Sequence, residues 1–388
     1  MLCKLLGLAQ MEIAEDIAGE TFLLALETWP YKGAPENPAA WLHTVAKNKA
    51  RNYVARQNVF IGKIAPELKH SSSETEEMDI DLSEKNFTDS QLQMMFAICH
   101  PGISTEAQIG LSLRILCGFG IDEIANALLT NKETINKRLF RAKEKLRAEN
   151  VKMELPGDAE INKRLETVLL ILYLLFNEGY YSESSDNVLN EDLCMEAIWL
   201  TSLLTENEKT RQPQVYALLS LMRFHASRFA ARKGKNGELI LYQDQDETLW
   251  NAGLISKGMY YLNRASCGNT ISKYHLEAAI AYWHTIKEDT QEKWENILQI
   301  FNKLLQIEYS PIAALNRTYA LAKANGNAAA IIEAEKLNLS DNHFYFTLLG
   351  ELYKDIDNNK AKQNFEKALA LAKTQTDKQA IRRKIDGL

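Results

Sequence analysis

Apolar residues recur at helical spacing, three and four apart, through most of the chain, and alternating strand-like runs are scarce. The pattern predicts an all-α protein. Residues 1–29 read as helix, with Phe22, Leu23, Leu24, Leu26 and Trp29 supplying apolar surface and Glu12, Glu15, Asp16 and Glu20 an acidic face. The segment YKGAPENP, residues 31–38, is a Pro/Gly loop. Pro38 suits the first turn of the next helix, with Asn37 as its cap. In that helix Trp41, Leu42, Val45 and Ala46 mark one face, which Tyr53 and Val54 extend. Residues 62–88 lose the helical period and combine a serine run with dense acid, the composition of a linker. Helix resumes over residues 89–117, broken at His100-Pro101-Gly102.

The most specific pattern is Ile121 to Arg147. It reads as a short helix, a four-residue turn and a second, basic helix. Asp122 and Glu123 occupy the opening turn of the first, where carboxylates suit the positive end of the helix dipole. Thr130 and Glu133 match a capping box for the second. Ile135, Leu139, Ala142 and Leu146 form a core-facing stripe, and Lys132, Asn136, Lys137, Arg138, Arg141 and Lys145 fall largely off it. A basic helix docked by an apolar stripe on a short helix is the device by which a helix-turn-helix enters the DNA major groove. A solvated amphipathic helix at a domain edge is the plainer alternative.

Residues 149–159, with Pro156-Gly157, mark a further boundary, and helical hairpins are expected from 160 onward. A helix over 161–176 is expected to stop at Asn177-Glu178-Gly179. In 344–371, Phe346, Leu349, Gly350, Tyr353, Ala361, Phe365 and Ala368 fit the tetratricopeptide (TPR) pattern with a turn one residue short. Leu315, Asn316, Tyr319, Ala328 and Ile332 fit it more loosely. Such arrays offer a concave binding surface.

Composition sharpens this picture. The 388 residues suit two or three domains, and 46% apolar content suffices for packed cores. The longest apolar run, Val168 to Phe176, is too short to span a bilayer, and MLCKLLGLAQ lacks a signal-peptide cleavage site. Five scattered cysteines with no CxxC pair suggest reduced thiols and a cytoplasmic location. Net charge is −6, and residues 1–150 and 151–388 each carry −3. Against that background residues 131–147 hold seven Lys/Arg and two Glu, a local +5. Lys47, Lys49, Arg51 and Arg56 add a second basic segment with no acid between 41 and 57. Cations interleaved with aromatic and amide side chains suit melted single strands: charge for phosphate, planar groups for bases. No Ser/His/Asp set, metal-ligand spacing or phosphate-binding glycine loop is apparent, so neither an enzyme nor a cofactor is expected. Cys99 and His100 with Cys117 match no common zinc spacing.

Two basic helices in this order, separated by an acidic linker, resemble the extracytoplasmic-function (ECF) sigma factors of bacterial RNA polymerase. EIAEDIAGETFLLALETW resembles their region 2.2, and NPAAWLHTVAKNKARNYVAR regions 2.3 and 2.4, with the core at Trp41, Leu42, Val45, Ala46 and Asn48. IDEIANALLTNKETINKRLFRAKEKLR resembles region 4.2, with the core at Thr134, Ile135, Arg138, Leu139, Arg141 and Ala142. Cys99-His100-Pro101, Phe176 to Tyr180, Asp244-Gln245-Asp246 with Trp250, and Ala314 to Arg317 resemble an ECF subgroup with a C-terminal TPR-like extension. The resemblance implies region 2 over 1–61, with a shortened first helix, an acidic linker over 62–88, region 4 with its helix-turn-helix over 89–150, and a TPR-like domain over 158–388.

The resemblance also implies roles. Glu15, Asp16 and Glu20 would dock on core RNA polymerase, with a solvated acidic face as the alternative. Trp41, Lys47, Asn48, Lys49 and Arg51 would hold the melted −10 promoter element, with a core role favoured for Trp41 and a helix-surface role as the alternative for Asn48. Lys132, Asn136, Lys137, Arg138 and Arg141 would read the −35 element, unless Arg138 pairs with the preceding helix instead. The C-terminal domain would regulate in cis, through an unidentified ligand or protein. Two rivals remain: a helix-turn-helix regulator with a TPR sensory domain that never docks on polymerase, and a TPR scaffold in which the basic helices are incidental.

Overall fold

The computed structural model describes residues 2–7, 10–64, 84–128, 130–180, 189–234, 240, 242–372 and 374–388. Among them all regular structure is helical, so the protein is all-α, as its periodicity predicts. The chain forms two compact units, residues 1–171 and 172–388.

The first unit contains α1 (Leu2–Leu6), α2 (Met11–Lys32), α3 (Pro38–Ile64), α4 (Glu84–Ile98), α5 (Thr105–Ile115), α6 (Ile121–Ala127) and α7 (Lys132–Ala148). The division between the units falls inside α8 (Asp158–Tyr180). Helix α2 buries Met11, Ala14, Ile17, Thr21 and Ala25, one stripe at three-and-four spacing. Helix α3 contributes Ala46 and Ala50 to the same cluster, and these small side chains let the two helices approach closely. The buried stripe is therefore not the leucine-rich one. Phe22, Leu23 and Leu26 are 59%, 55% and 72% exposed.

Helix α2 also runs through Pro30 to Lys32, into the expected loop. A proline so close to the end forfeits little helical bonding, and the Gly33 N–H closes the last turn on the Trp29 carbonyl at 2.9 Å. Asn37 caps α3 as expected, its Oδ1 accepting from the Ala40 N–H at 3.0 Å. Residues 65–83, the centre of the expected acidic linker, lie outside the described residues, while α3 and α4 extend into its two ends.

The second unit continues with α9 (Glu191–Glu206), α10 (Pro213–Ala226), α11 (Phe229–Arg232), α12 (Ala252–Ala265), α13 (Lys273–Trp283), α14 (Gln291–Ile307), α15 (Pro311–Asn325), α16 (Asn327–Leu337), α17 (His343–Tyr353), α18 (Asn358–Leu371) and α19 (Gln375–Asp386). Helix α10 is apolar on nearly every side and packs against α9, α12 and α13, as an all-round apolar helix must. From α14 onward, each helix packs against the next along the chain.

The expected stop at Asn177-Glu178-Gly179 is overridden, since α8 continues to Tyr180. Gly179 serves packing instead of termination: a Cβ there would lie 2.8 Å from Cys194 Sγ and 2.9 Å from the Asn190 carbonyl oxygen. In the α17–α18 hairpin Leu349, Tyr353, Ala361, Phe365 and Ala368 are buried as expected. In α16 the register differs: Ala330 and Ala334 face the core, while Ile332 is 61% exposed. Alanines at the crossing bring α16 close to its neighbours, and the bulkier isoleucine points away.

Gly350 makes the tightest of these crossings, because a Cβ would sit 2.5 Å from the ring of the buried Phe365. Gly350→Ala is expected to destabilise the second unit by about 1–2 kcal/mol. Because the Phe365 ring is buried and cannot swing aside, the overpacking cost falls in the upper part of the range of about 1–3 kcal/mol and exceeds the helix-propensity gain of about 1 kcal/mol. Chemical denaturation followed by helical circular dichroism measures the difference, and a variant as stable as the parent refutes this account of the hairpin.

Candidate nucleic-acid interface

Helix α7 carries the strongest candidate surface. Ile135, Leu139, Ala142 and Leu146 are all at most 4% exposed, and they dock the helix against α5 and α6. The opposite face is thereby fixed in solvent. Its start is set by Asn131, whose Oδ1 accepts from the Thr134 N–H at 2.8 Å. The expected Thr130–Glu133 capping box is not used: Thr130 sits in the turn, its N–H donating to the Ala125 carbonyl at 2.9 Å. Asn131 has the extended backbone a cap requires, and this places Glu133 in the first turn, where its charge meets the helix dipole favourably.

Lys137, Arg138, Arg141 and Lys145 line a groove of about 490 Å³ together with Thr134 and the start of α5 at Ser104. Lys145 pairs with Glu149 at 2.8 Å, and the remaining three cations make the groove anion-attracting. Ser104 caps α5 there, accepting from the Ala107 N–H at 3.3 Å, so helix N–H groups add to the positive field. Three of the five residues expected at the −35 element thus converge. Lys132 and Asn136 are exposed elsewhere, and Lys132 pairs with Asp122 of α6 at 2.5 Å. Arg138 makes no ion pair with α6 among the described residues; its charge is felt by Glu106 of α5.

The residues expected at the −10 element divide into two groups. Lys47 and Arg51 stand one turn apart on the outer face of α3, with Asn48 exposed beside them. Lys49 turns toward α2 and pairs with Glu20 at 2.6 Å. Trp41 is half-buried and packs edge-on against Trp29, ring centroids 5.5 Å apart. That contact anchors α3 to α2 and leaves part of the indole accessible.

The acidic candidates also differ among themselves. Glu15 is held inside the unit, 3.1 Å from Lys143 of α7 and 3.7 Å from Arg114 of α5. Glu20 is committed to Lys49, while Asp16 is exposed and two turns from Leu23 on the outer side of α2. The open surface of α2 therefore consists of Phe22, Leu23 and Leu26 beside Asp16, a mixed apolar and acidic face. Its signal was already present as apolar residues off the Met11–Ala25 stripe.

Burial pushes the Cys99 and Cys194 thiols up to about 12, so neither is a thiolate near neutral pH. His100 contacts Glu149 at 3.1 Å. No cluster of three metal-ligating side chains occurs among the described residues. None of their helices is long and apolar enough to cross a membrane.

Residues 2–59 match the family model for Sigma-70 region 2, and residues 164–266 match a family of unknown function, DUF6596. The match over residues 2–59 supports a sigma-70 family factor, the kind of protein that works with RNA polymerase in promoter recognition. It belongs to the same family as an uncharacterized protein of Rhizobium meliloti (strain 1021), with which it shares 32% identity over 97% of this chain and 90% of that one. No solved structure matches it.

The cap assignment yields a direct test. Asn131→Ala is expected to cost about 1 kcal/mol, whereas Thr130→Ala should stay within about 0.5 kcal/mol. Urea unfolding of both variants decides, and the reverse order would restore Thr130 as the cap.

Proposed function

We propose that this chain is an alternative sigma factor of the ECF group, carrying a region 4 helix-turn-helix at α6–α7 and a C-terminal TPR-like domain that regulates it in cis. The observation that carries the reading is the cationic groove on α7, held in a chain whose first 59 residues match sigma-70 region 2 from residue 2. Helix α7 enters the major groove of the −35 element. Lys137, Arg138 and Arg141 contact backbone and base edges there, joined by Lys132 and Asn136 at the helix start. Phosphate contacts fix position and base contacts select sequence.

Region 2 does the melting. Lys47, Arg51 and Asn48 track the displaced strand of the −10 element, with the accessible part of Trp41 beside them and Lys49 at the flank facing α2. Flipping a base out costs a few kcal/mol, which these contacts must recover. Core polymerase docks on α2 through Asp16 and the exposed Phe22, Leu23 and Leu26. Glu15 and Glu20 join once their internal partners let go. The Lys49–Glu20 pair does not oppose this, since its side chains are 30% and 63% exposed and such pairs contribute under about 1 kcal/mol.

Co-purification with core polymerase separates this reading from that of an operator-binding regulator, which would not be retained. Lys47→Glu combined with Arg51→Glu should keep core binding and abolish promoter opening; permanganate reactivity persisting at the −10 region would overturn the role of α3. Arg141→Ala should weaken promoter binding and lower the slope of log K against log salt by about one. An unchanged slope in a salt titration would remove Arg141 from the interface.

A further inference from the structure

The second unit concentrates positive charge that promoter binding does not use. Arg228 and Arg232 lie at the end of α10 and in α11, Lys287 follows α13, and Lys293 opens α14. Arg228 is 6% exposed and Lys293 1% exposed. Among the described residues none of the four makes an ion pair, and their donors go to neutral acceptors. Arg228 Nη2 reaches the Tyr180 hydroxyl at 3.4 Å, and Arg232 Nη2 reaches the Tyr180 carbonyl at 3.4 Å. Lys287 Nζ donates to the Gln245 carbonyl at 2.9 Å, and Lys293 Nζ to the Tyr242 hydroxyl at 3.1 Å. The nearby Asp289 is engaged by Lys323 at 2.8 Å and by the Trp294 indole.

Donors are left over. Among the described residues, Nε of Arg228, Nε of Arg232 and the indole N–H of Trp250 are buried without an acceptor. Buried donors normally find partners, and a buried cation without a counter-charge is costly. Burial, with Arg228 next in effect, also holds the His225 imidazole well below its usual range and His284 down at about 3. Neither histidine therefore adds charge near neutral pH.

A groove of about 710 Å³ meets this cluster at Tyr180 and Tyr319. Its volume lies within the usual range for small-molecule sites, about 300–1,000 Å³. Helix α15 lines it with Ile312, Leu315, Asn316 and Tyr319, and α17 with Phe344, Thr347, Leu348 and Glu351. Each set follows the spacing of a single helix face. Ile312 is 50% exposed and Phe344 37% exposed, so among the described residues the apolar wall is left partly open. Glu351 is neutralised by Lys384. At the other wall, the ring of Tyr180 carries the Arg232 guanidinium 3.8 Å from its centroid, and the Tyr319 hydroxyl accepts from Gln243 at 2.8 Å.

We propose that this groove binds a small amphipathic acid, its apolar body lying along Ile312, Leu315, Phe344 and Leu348 and its oxyanion head at the Tyr180 end, held by Arg228 and Arg232. The complementarity is of charge and surface together: the apolar wall runs to Tyr180, and Arg232 and Arg228 stand directly against the Tyr180 side chain, within reach of a head group placed at that end. Any bearing of the ligand on transcription rests on the regulatory reading above, but binding itself does not.

The test uses the full-length chain alone, without polymerase or DNA, so the sigma-factor reading and this one fail separately. Octanoate and octyl phosphate distinguish a carboxylate from a phosphate head, with octanol and octylamine as probes of equal apolar length. Saturable heat by titration calorimetry and a raised melting temperature are expected for at least one of the two acids, and neither effect for octanol or octylamine. Arg232→Gln and Phe344→Ser should each weaken binding at least about tenfold, about 1.4 kcal/mol. Saturation by neither acid, equal binding of octanol, or unchanged affinity in a folded Arg232→Gln chain overturns the proposal. Should either variant fail to fold, the comparison of acid with alcohol on the parent chain still decides.

Discussion

The burial of Ile135, Leu139, Ala142 and Leu146 against α5 and α6 is the contact on which the cationic groove depends. Each of the three larger side chains contributes about 1.5–3 kcal/mol on leaving water. Repulsion between exposed cations is screened by solvent and salt and is of the order of a surface ion pair, under about 1 kcal/mol. Packing therefore wins, and α7 can hold Lys137, Arg138, Arg141 and Lys145 on one side without being expelled. Rotation of the helix to spread that charge would expose the stripe at a greater cost. The same arithmetic explains how a basic face survives in a chain with a net charge of −6.

Legibility in the sequence followed the type of interaction. The stripe on α7 was readable because helical period and side-chain size agreed, with no tertiary contact needed to explain it. The end of α8 was not, because Gly179 carries two meanings. A glycine after an apolar run signals a stop, yet this one is demanded by Cys194 and the Asn190 carbonyl at the start of the following helix. Ile332 and Ala330 show the same limit: hydrophobicity favours burying the isoleucine, while the closeness of the crossing selects alanine. The cap at Asn131 was missed for a local reason, since Thr130 and Asn131 are adjacent competent caps and the turn geometry chose between them.

The candidate site was legible as a set of residue types and illegible as a set of pairs. Lys49 and Glu20 were expected to face different partners, promoter DNA and polymerase, yet they face each other. Glu15 is likewise tied to Lys143, from a helix more than a hundred positions away in sequence. Charge pattern along a chain records which side chains bear charge; only the fold decides which opposite charges meet. The exposed Phe22, Leu23 and Leu26 were visible from the start, but became a surface of interest only once the smaller stripe of Met11, Ala14, Ile17 and Ala25 was found to fill the core.

The two units hold their charge on different energy scales. In the first, Glu20 and Lys49 are partly solvated, so an incoming partner can exchange one contact for another at small cost. Such pairs suit a surface that must trade an internal partner for polymerase or DNA. In the second, Arg228 and Lys293 are almost wholly withdrawn from water and have only neutral acceptors, so their desolvation is only partly offset. A counter-ion arriving there recovers more than an exchange of surface contacts does. Ligand that binds only the folded state adds to its stability by mass action, and that linkage grows with intrinsic affinity. The first unit's electrostatics therefore favour rapid exchange between partners, and the second unit's favour retention of a ligand.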